Sequence, residues 1–324
     1  MFKHILSLTL AFMLILAGTA LADTVRVAVV QPLTHTSLNQ IRDTIVSKLE
    51  ASDIDFEIVT RNAEGDSAAL STILENVKND GVDILVPIAT STAQSAKMVF
   101  DGTDVPMVFA AVSDPVAAGL TGEDCGFITG VSNNIPAAEI VNLISDFQPD
   151  YKLIGFLYTS SETNSVSTIN AAKAYCDANG IAYEEVSIAN LSELQTAVET
   201  LISKGVDALY TGNDNSIASA MSTYIDVAYE YGIPVYCGAD SMVADGGFAT
   251  IGVDYVQLGG QVADIVERIA SGEQPEDIPY ETLADYARFV NLQAADRVGM
   301  EISGDILANY NVLVEADGTS HFGE

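Results

Sequence analysis

Short apolar segments rich in β-branched residues alternate with longer amphipathic ones along almost the whole chain, and the series runs through twice. Val25–Gln31 reads as a strand. The helical pattern over Leu38–Ser52 follows, with apolar residues at Leu38, Ile41, Ile45 and Leu49 on one face. Strands Phe56–Arg61, Ile84–Ala89, Pro106–Val112 and Phe127–Val131 then accompany helices Ala68–Asn79 and Thr92–Phe100. The pattern restarts with helix Ala137–Phe147, ended by Pro149-Asp150. Strands Leu153–Tyr158, Tyr183–Ser187, Ala208–Thr211 and Pro234–Gly238 alternate with helices Ser165–Asn179, Leu191–Lys204 and Ile217–Tyr231, each helix stopped by a glycine. Phe248–Val253 and a helix from Tyr255 to Ser271 close the series.

Strands separated by helices of this length indicate parallel βαβ units. The fold class is therefore α/β, with two doubly wound parallel-sheet lobes joined by a multi-strand hinge. The expected division gives residues 23–131 plus 254–283 to an N-terminal lobe and 132–253 plus 284–324 to a C-terminal lobe. No Gly/Ser-rich linker marks the change, which fits a hinge made from the ends of elements. The polar tail after Val314 is expected to be poorly ordered.

The first residues point to export. Lys3 and His4 precede an apolar run, Ile5–Ala17, and Ala20-Leu21-Ala22 is a small-x-small cleavage pattern. The run is shorter than the ~20 residues of a membrane span, so residues 1–22 read as a cleavable signal peptide and the expected compartment is the periplasm. With 45 acidic against 13 basic residues the formal net charge is −32. Such a surface repels nucleic acid and anionic lipid. Cys125, Cys176 and Cys237 have no metal-ligand spacing, and an odd count leaves at least one unpaired in a monomer.

In an open parallel sheet, ligands bind outside the carboxyl ends of the strands. In the first series those ends carry Gln31 with His35, then Thr90-Ser91-Thr92, then Ser113-Asp114. In the second they carry Glu162 through Ser165, with Asn164 and Ser165 as the candidates, then Asn213 with Asp214 and Asn215, then Asp240-Ser241. A helix start at Thr90, Ser91 and Thr92 offers N–H groups and hydroxyls to an anion. The alternative is an ordinary N-cap, and capping and ligand binding can share one turn. Asp214 and Asp240 can pair with an ammonium. A small molecule bearing a carboxylate and an amine, bridging the lobes, fits this distribution.

Catalysis finds little support. No Gly-x-Ser-x-Gly elbow and no phosphate-binding Gly-x-Gly-x-x-Gly is present, and only His35 of the three histidines could reach a cleft. No cofactor or metal is expected. Gly259-Gly260 lies inside a helix and suits close packing.

These stretches resemble the periplasmic substrate-binding components of ABC transporters with the type I fold, in the branch that includes aromatic-amino-acid (tryptophan/tyrosine) binders. The resemblance rests on Val82–Gln94, Val105–Leu120, Thr129–Ser132, Ile154–Ser165, Ala208–Asn215, Ala249–Thr282 and Asn291–Ala295, in that order. It implies a bilobed receptor that closes on its ligand and delivers it to a permease, with Ser91, Ser113, Asp114, Asn164, Ser165, Asp214 and Asp240 as binding positions; a monomer is expected. Relatives commonly carry an acidic residue before the first-loop histidine, where this chain has Thr34. The rival readings are a sugar or nucleoside receptor, a ligand-sensing subunit of a signalling system, and a secreted α/β enzyme.

Overall fold

The computed structural model describes residues 24–283 and 286–322; the expected signal peptide lies outside the described residues. The first half of the chain runs β1 (Val25–Gln31), α1 (Thr36–Glu50), β2 (Phe56–Asn62), α2 (Ser67–Asn79), β3 (Ile84–Pro87), α3 (Thr90–Phe100), β4 (Met107–Ala110) and β5 (Ile128–Ser132). The second runs α4 (Ala137–Phe147), β6 (Ile154–Thr159), α5 (Thr163–Asn179), β7 (Tyr183–Ile188), α6 (Leu194–Ser203), β8 (Ala208–Thr211), α7 (Asn215–Ala218), α8 (Met221–Glu230), β9 (Val235–Cys237), α9 (Asp240–Ala244) and β10 (Ala249–Gly252). Helix α10 (Tyr255–Ala270), β11 (Glu281–Thr282), β12 (Ala287–Asn291), α11 (Leu292–Val298), α12 (Gly304–Leu307) and β13 (Asn311–Val314) complete it.

Two sheets result. The first has the order β11-β5-β4-β3-β1-β2, and its strands are parallel throughout. The second has the order β13-β12-β10-β9-β8-β6-β7, parallel except where β12 runs against β10. A parallel sheet needs cover on both faces, and the sequence of β1 supplies it with alternate residues. Val27 and Val29 pack with Leu38, Ile41 and Ile45 of α1 and with Leu258 and Val262 of α10. Ala28 and Val30 face the other way, against Leu70 and Leu74 of α2 and Ala93, Ala96 and Phe100 of α3. The chain changes sheet three times, between β5 and α4, between β10 and α10, and between β11 and β12.

Several expectations need correction. The helix expected over Ile217–Tyr231 is two helices, α7 and α8, broken at Ser219-Ala220, where Ala220 leaves the helical region at φ −126°, ψ 25°. The short first piece is pinned by side chains at its amino end, described below. The tail is not loose: the Glu315 N–H donates to the Thr319 carbonyl at 2.8 Å, and the His321 N–H to the Leu313 carbonyl at 2.8 Å, folding it back on β13. Strands β12 and β13 were not foreseen. Cys125, Cys176 and Cys237 are all buried and unpaired. Among the described residues, no helix is long and apolar enough to cross a membrane.

Candidate functional site

In each sheet the strand order reverses direction next to its first strand: between β1 and β3 in one, between β6 and β8 in the other. Such switch points leave a crevice at the carboxyl ends. The loops that follow these strands meet across the cleft and leave a cavity of about 20 Å³ between them. Its lining comes from both lobes: His35, Ser37, Leu38, Ala111, Ser113 and Asn133 on one side, Asn164, Asn213, Asp214, Asn215, Ala218, Ala239, Ser241 and Met242 on the other, with Tyr255 at a crossing. The space is narrow, so anything much larger than water enters by parting the lobes.

Local backbone geometry brings these groups inward. Ala89 and Ala111, after β3 and β4, hold φ of 72° and 56°. Left-handed alanines cost roughly 1–3 kcal/mol each and persist where the surroundings over-determine them. In the other lobe Gly238 presses on the turn after β8; a Cβ there would stand 2.4 Å from the Gly212 carbonyl carbon. That close approach sets the path of the Asn213-Asp214-Asn215 segment along the cavity wall.

The lobes are joined by side-chain bonds. His35 Nε2 lies 3.1 Å from Asn215 Oδ1, and the Ser37 and Ser241 hydroxyls share a short hydrogen bond. Ser167 Oγ donates to Asp114 Oδ2 at 2.6 Å, and Thr163 Oγ1 to Gln94 Oε1 at 3.2 Å. A further chain runs from Ser113 Oγ to Asn133 Oδ1 at 2.9 Å, from Asn133 Nδ2 to the Tyr255 hydroxyl at 3.4 Å, and from that hydroxyl to Asn213 Oδ1 at 3.4 Å.

The acidic groups are engaged within the protein. Asp214 caps α7 through the Ile217 N–H at 2.9 Å. Its carboxylate also accepts the Thr159 N–H at 2.6 Å, the Thr159 hydroxyl at 3.0 Å and the Ser165 hydroxyl at 2.6 Å. It therefore clamps the end of β6 to the turn after β8. Burial, with the Glu162 charge beside it, pushes the Asp214 carboxyl upward against the pull of those donors. Glu162 receives the Asn215 and Ser216 N–H groups at 3.0 and 2.8 Å, the Ser216 hydroxyl at 2.6 Å, and the side-chain amides of Asn215 and Asn164 at 2.8 and 3.1 Å. Asp240 accepts the Ser241 N–H at 2.7 Å, and burial pushes it up to about 6.

Of the twelve expected site residues, His35, Ser113, Asn164, Asp214 and Asn215 line the cavity. The others do not. Gln31 is buried and bonded to the Leu33 carbonyl, Asn39 and Arg42, where it orders the first loop. Thr90 and Thr92 have buried hydroxyls away from the cavity. Ser91 faces a separate open hollow beside Gln94, Lys97 and Met98. Asp114 is part of the bond between lobes, Ser165 is spent on Asp214, and Asp240 gives way to its neighbour Ser241. Ser37, Asn133 and Tyr255 were not foreseen. Ser37 lies two residues past His35, and Asn133 and Tyr255 flank the crossings, where polar residues next to strand ends are the available signal.

The family model for ABC transporter substrate binding proteins matches residues 26–314. The chain belongs to that family. It is 28% identical over 283 residues to a tyrosine-binding protein of Clostridioides difficile, an alignment covering 85% of this chain and 81% of the relative. Among solved structures, an ABC domain of Streptococcus pneumonia in complex with L-Trp superposes with a TM-score of 0.83 at 30% identity, covering 90% of this chain and 99% of the other. The ligand-free, open structure of a substrate-binding protein with adhesive properties from Clostridium difficile gives 0.68, also at 30% identity, covering 89% and 99%. At equal identity the chain matches the ligand-bound structure better than the open one, in keeping with the bonds between its lobes. The two α/β lobes with mostly parallel sheets are those of type I periplasmic binding proteins.

Proposed function

We propose that this chain is the extracytoplasmic receptor of an ABC importer, that its ligand is a free amino acid with an aromatic side chain, and that it hands this ligand unchanged to a permease. The observation that carries the reading is the cavity itself. It lies at the carboxyl ends of both sheets and takes hydroxyls and carboxamides from each lobe. A ligand that touches both lobes favours their closed arrangement, so closure reports occupancy. The class of ligand is supported by the tyrosine-binding relative and the L-Trp complex. A periplasmic location accords with the family and with the leader-like first residues.

The test is a thermal-shift screen of free amino acids, sugars and nucleosides, with small-angle scattering on the hits. Tyrosine or tryptophan at a hundred times Kd stabilises the fold by about 2.7 kcal/mol and compacts the protein. Stabilisation by sugars or nucleosides alone, or tight binding with no change in shape, refutes the reading.

A further inference from the structure

We propose that His35 Nδ1 and Asn164 Oδ1 are the pair of acceptors that takes the ligand's protonated amine, and that Glu162 is the positioning residue that aims both. The proposal rests on the amino-acid reading above and deepens it.

Both residues line the cavity, and both of these atoms are buried without a partner in the protein. Their identity as acceptors follows from their neighbours. The Asn164 amide nitrogen is held by Glu162 Oε2 at 3.1 Å and by the Asn213 carbonyl. Those two acceptors fix the amide's orientation and leave its oxygen bare. The Asn215 amide nitrogen is held by the same Glu162 oxygen at 2.8 Å, so the Asn215 oxygen is the atom that faces His35 Nε2 at 3.1 Å. A carboxamide oxygen only accepts, so Nε2 carries the hydrogen. Burial favours the neutral ring, and a neutral ring protonated at Nε2 has a bare lone pair at Nδ1.

Two unpaired acceptors in one cavity call for a donor. A carboxylate there sets lone pair against lone pair. An ammonium offers three N–H groups, and the Glu162 charge stands behind the carboxamides. Asp214, one of the two acids expected to pair with an ammonium, already receives four donors and has little capacity left. The Ser37, Ser113 and Ser241 hydroxyls, which rotate, remain for the carboxylate end.

Calorimetry on tryptophan and tyrosine, each beside the propionic acid that lacks its amino group, tests this. The wild-type chain prefers the amino acid to its des-amino partner. Loss of one hydrogen bond to a charged group lowers affinity by about tenfold to a hundredfold. Asn164→Leu and His35→Phe are each expected to reduce the preference by that factor and to leave the propionate's affinity nearly unchanged. Glu162→Gln, which touches neither acceptor's lone pair, reduces it too, because it removes the negative charge behind the two carboxamides and weakens their hold on the shared oxygen. A preference that survives all three substitutions, even with overall weaker binding, overturns the proposal. So does a wild-type chain that binds the propionates as tightly as the amino acids, which leaves the receptor reading standing. A wild-type chain that binds neither overturns the amino-acid reading and the subsite with it.

Discussion

Asp214→Asn is expected to destabilise the C-terminal lobe, a larger effect than its position on a cavity wall suggests. Two of its four donors are backbone N–H groups that cannot turn away, Thr159 at 2.6 Å on one carboxylate oxygen and Ile217 at 2.9 Å on the other. Asparagine has a single carbonyl oxygen. Whichever way its amide sits, the NH₂ faces one of those N–H groups in a fully buried position. A buried donor left without an acceptor costs about 1–3 kcal/mol, and the surviving bond loses its charge-assisted share. Against this, asparagine has no charge to bury, a gain in the direction set by the raised Asp214 carboxyl. The balance is a loss of roughly 2 kcal/mol. Urea unfolding should show a lower midpoint with an unchanged slope. Asp240→Asn is the control, because Asp240 accepts one neighbouring N–H and its charge is held in a buried place. It should be neutral or stabilising at pH 8. Equal midpoints for wild type and Asp214→Asn would show that the clamp between β6 and β8 carries no stability, and the reasoning fails.

Three further outcomes follow from the geometry. Gly259→Ala should destabilise by about 1–3 kcal/mol, because its Cβ would stand 2.9 Å from both the Ile41 carbonyl oxygen and Thr44 Cβ, whereas Gly260→Ala meets only Lys48 Nζ at 3.9 Å and should gain up to ~1 kcal/mol of helix propensity; thermal unfolding of the pair distinguishes them. Asp214 and Asp240 keep their protons to higher pH folded than unfolded, so their contribution is lost as pH rises from the ordinary aspartate range through about 6 for Asp240 and about 7 for Asp214, and regained on acidification. His35, lowered by burial, acts the other way below its ordinary range, but two groups oppose one, and Tm should rise between pH 7.5 and 5.5; a flat or falling profile contradicts this. Ser167→Ala removes the 2.6 Å bond to Asp114 outside the cavity, so it should weaken ligand binding about fivefold, the equivalent of ~1 kcal/mol, and shift scattering toward an opened shape, with no change in ligand preference.

The fold was legible because βαβ alternation is a local pattern: each strand's β-branched run and each helix's apolar stripe lie within a few residues of one another. The site was legible only as a set of strand ends. Which of two neighbouring polar residues faces inward depends on contacts between distant segments. Ser241 lines the cavity and Asp240 does not, a difference of one position on a short helix. Asp214 looked free because Thr159, whose N–H it binds, lies 55 residues away and arrives only when β6 and β8 pair. Glu162 stood among the polar strand ends with no role assigned, because the amides it aims come from two separate turns. The break between α7 and α8 was hidden for a related reason. The apolar periodicity continues across Ser219-Ala220, while the bonds that hold α7, from the Ser216 N–H to Glu162 and from the Thr159 N–H to Asp214, join segments far apart in the sequence.

The three concealed thiols bear on how opening can be watched. Cys125 packs in the layer between the first sheet and α2–α3, whereas Cys176 and Cys237 belong to α5 and β9. Burial pushes the Cys176 thiol up to about 11, so in the native protein it resists alkylation, and a buried thiol reacts only when its surroundings come apart. Rigid-body rotation about the crossings moves the lobes without uncovering these interiors. Local unfolding uncovers one interior or the other. Alkylation rates at the three positions, read peptide by peptide, therefore separate a hinge that swings from a lobe that frays, with no reporter group added.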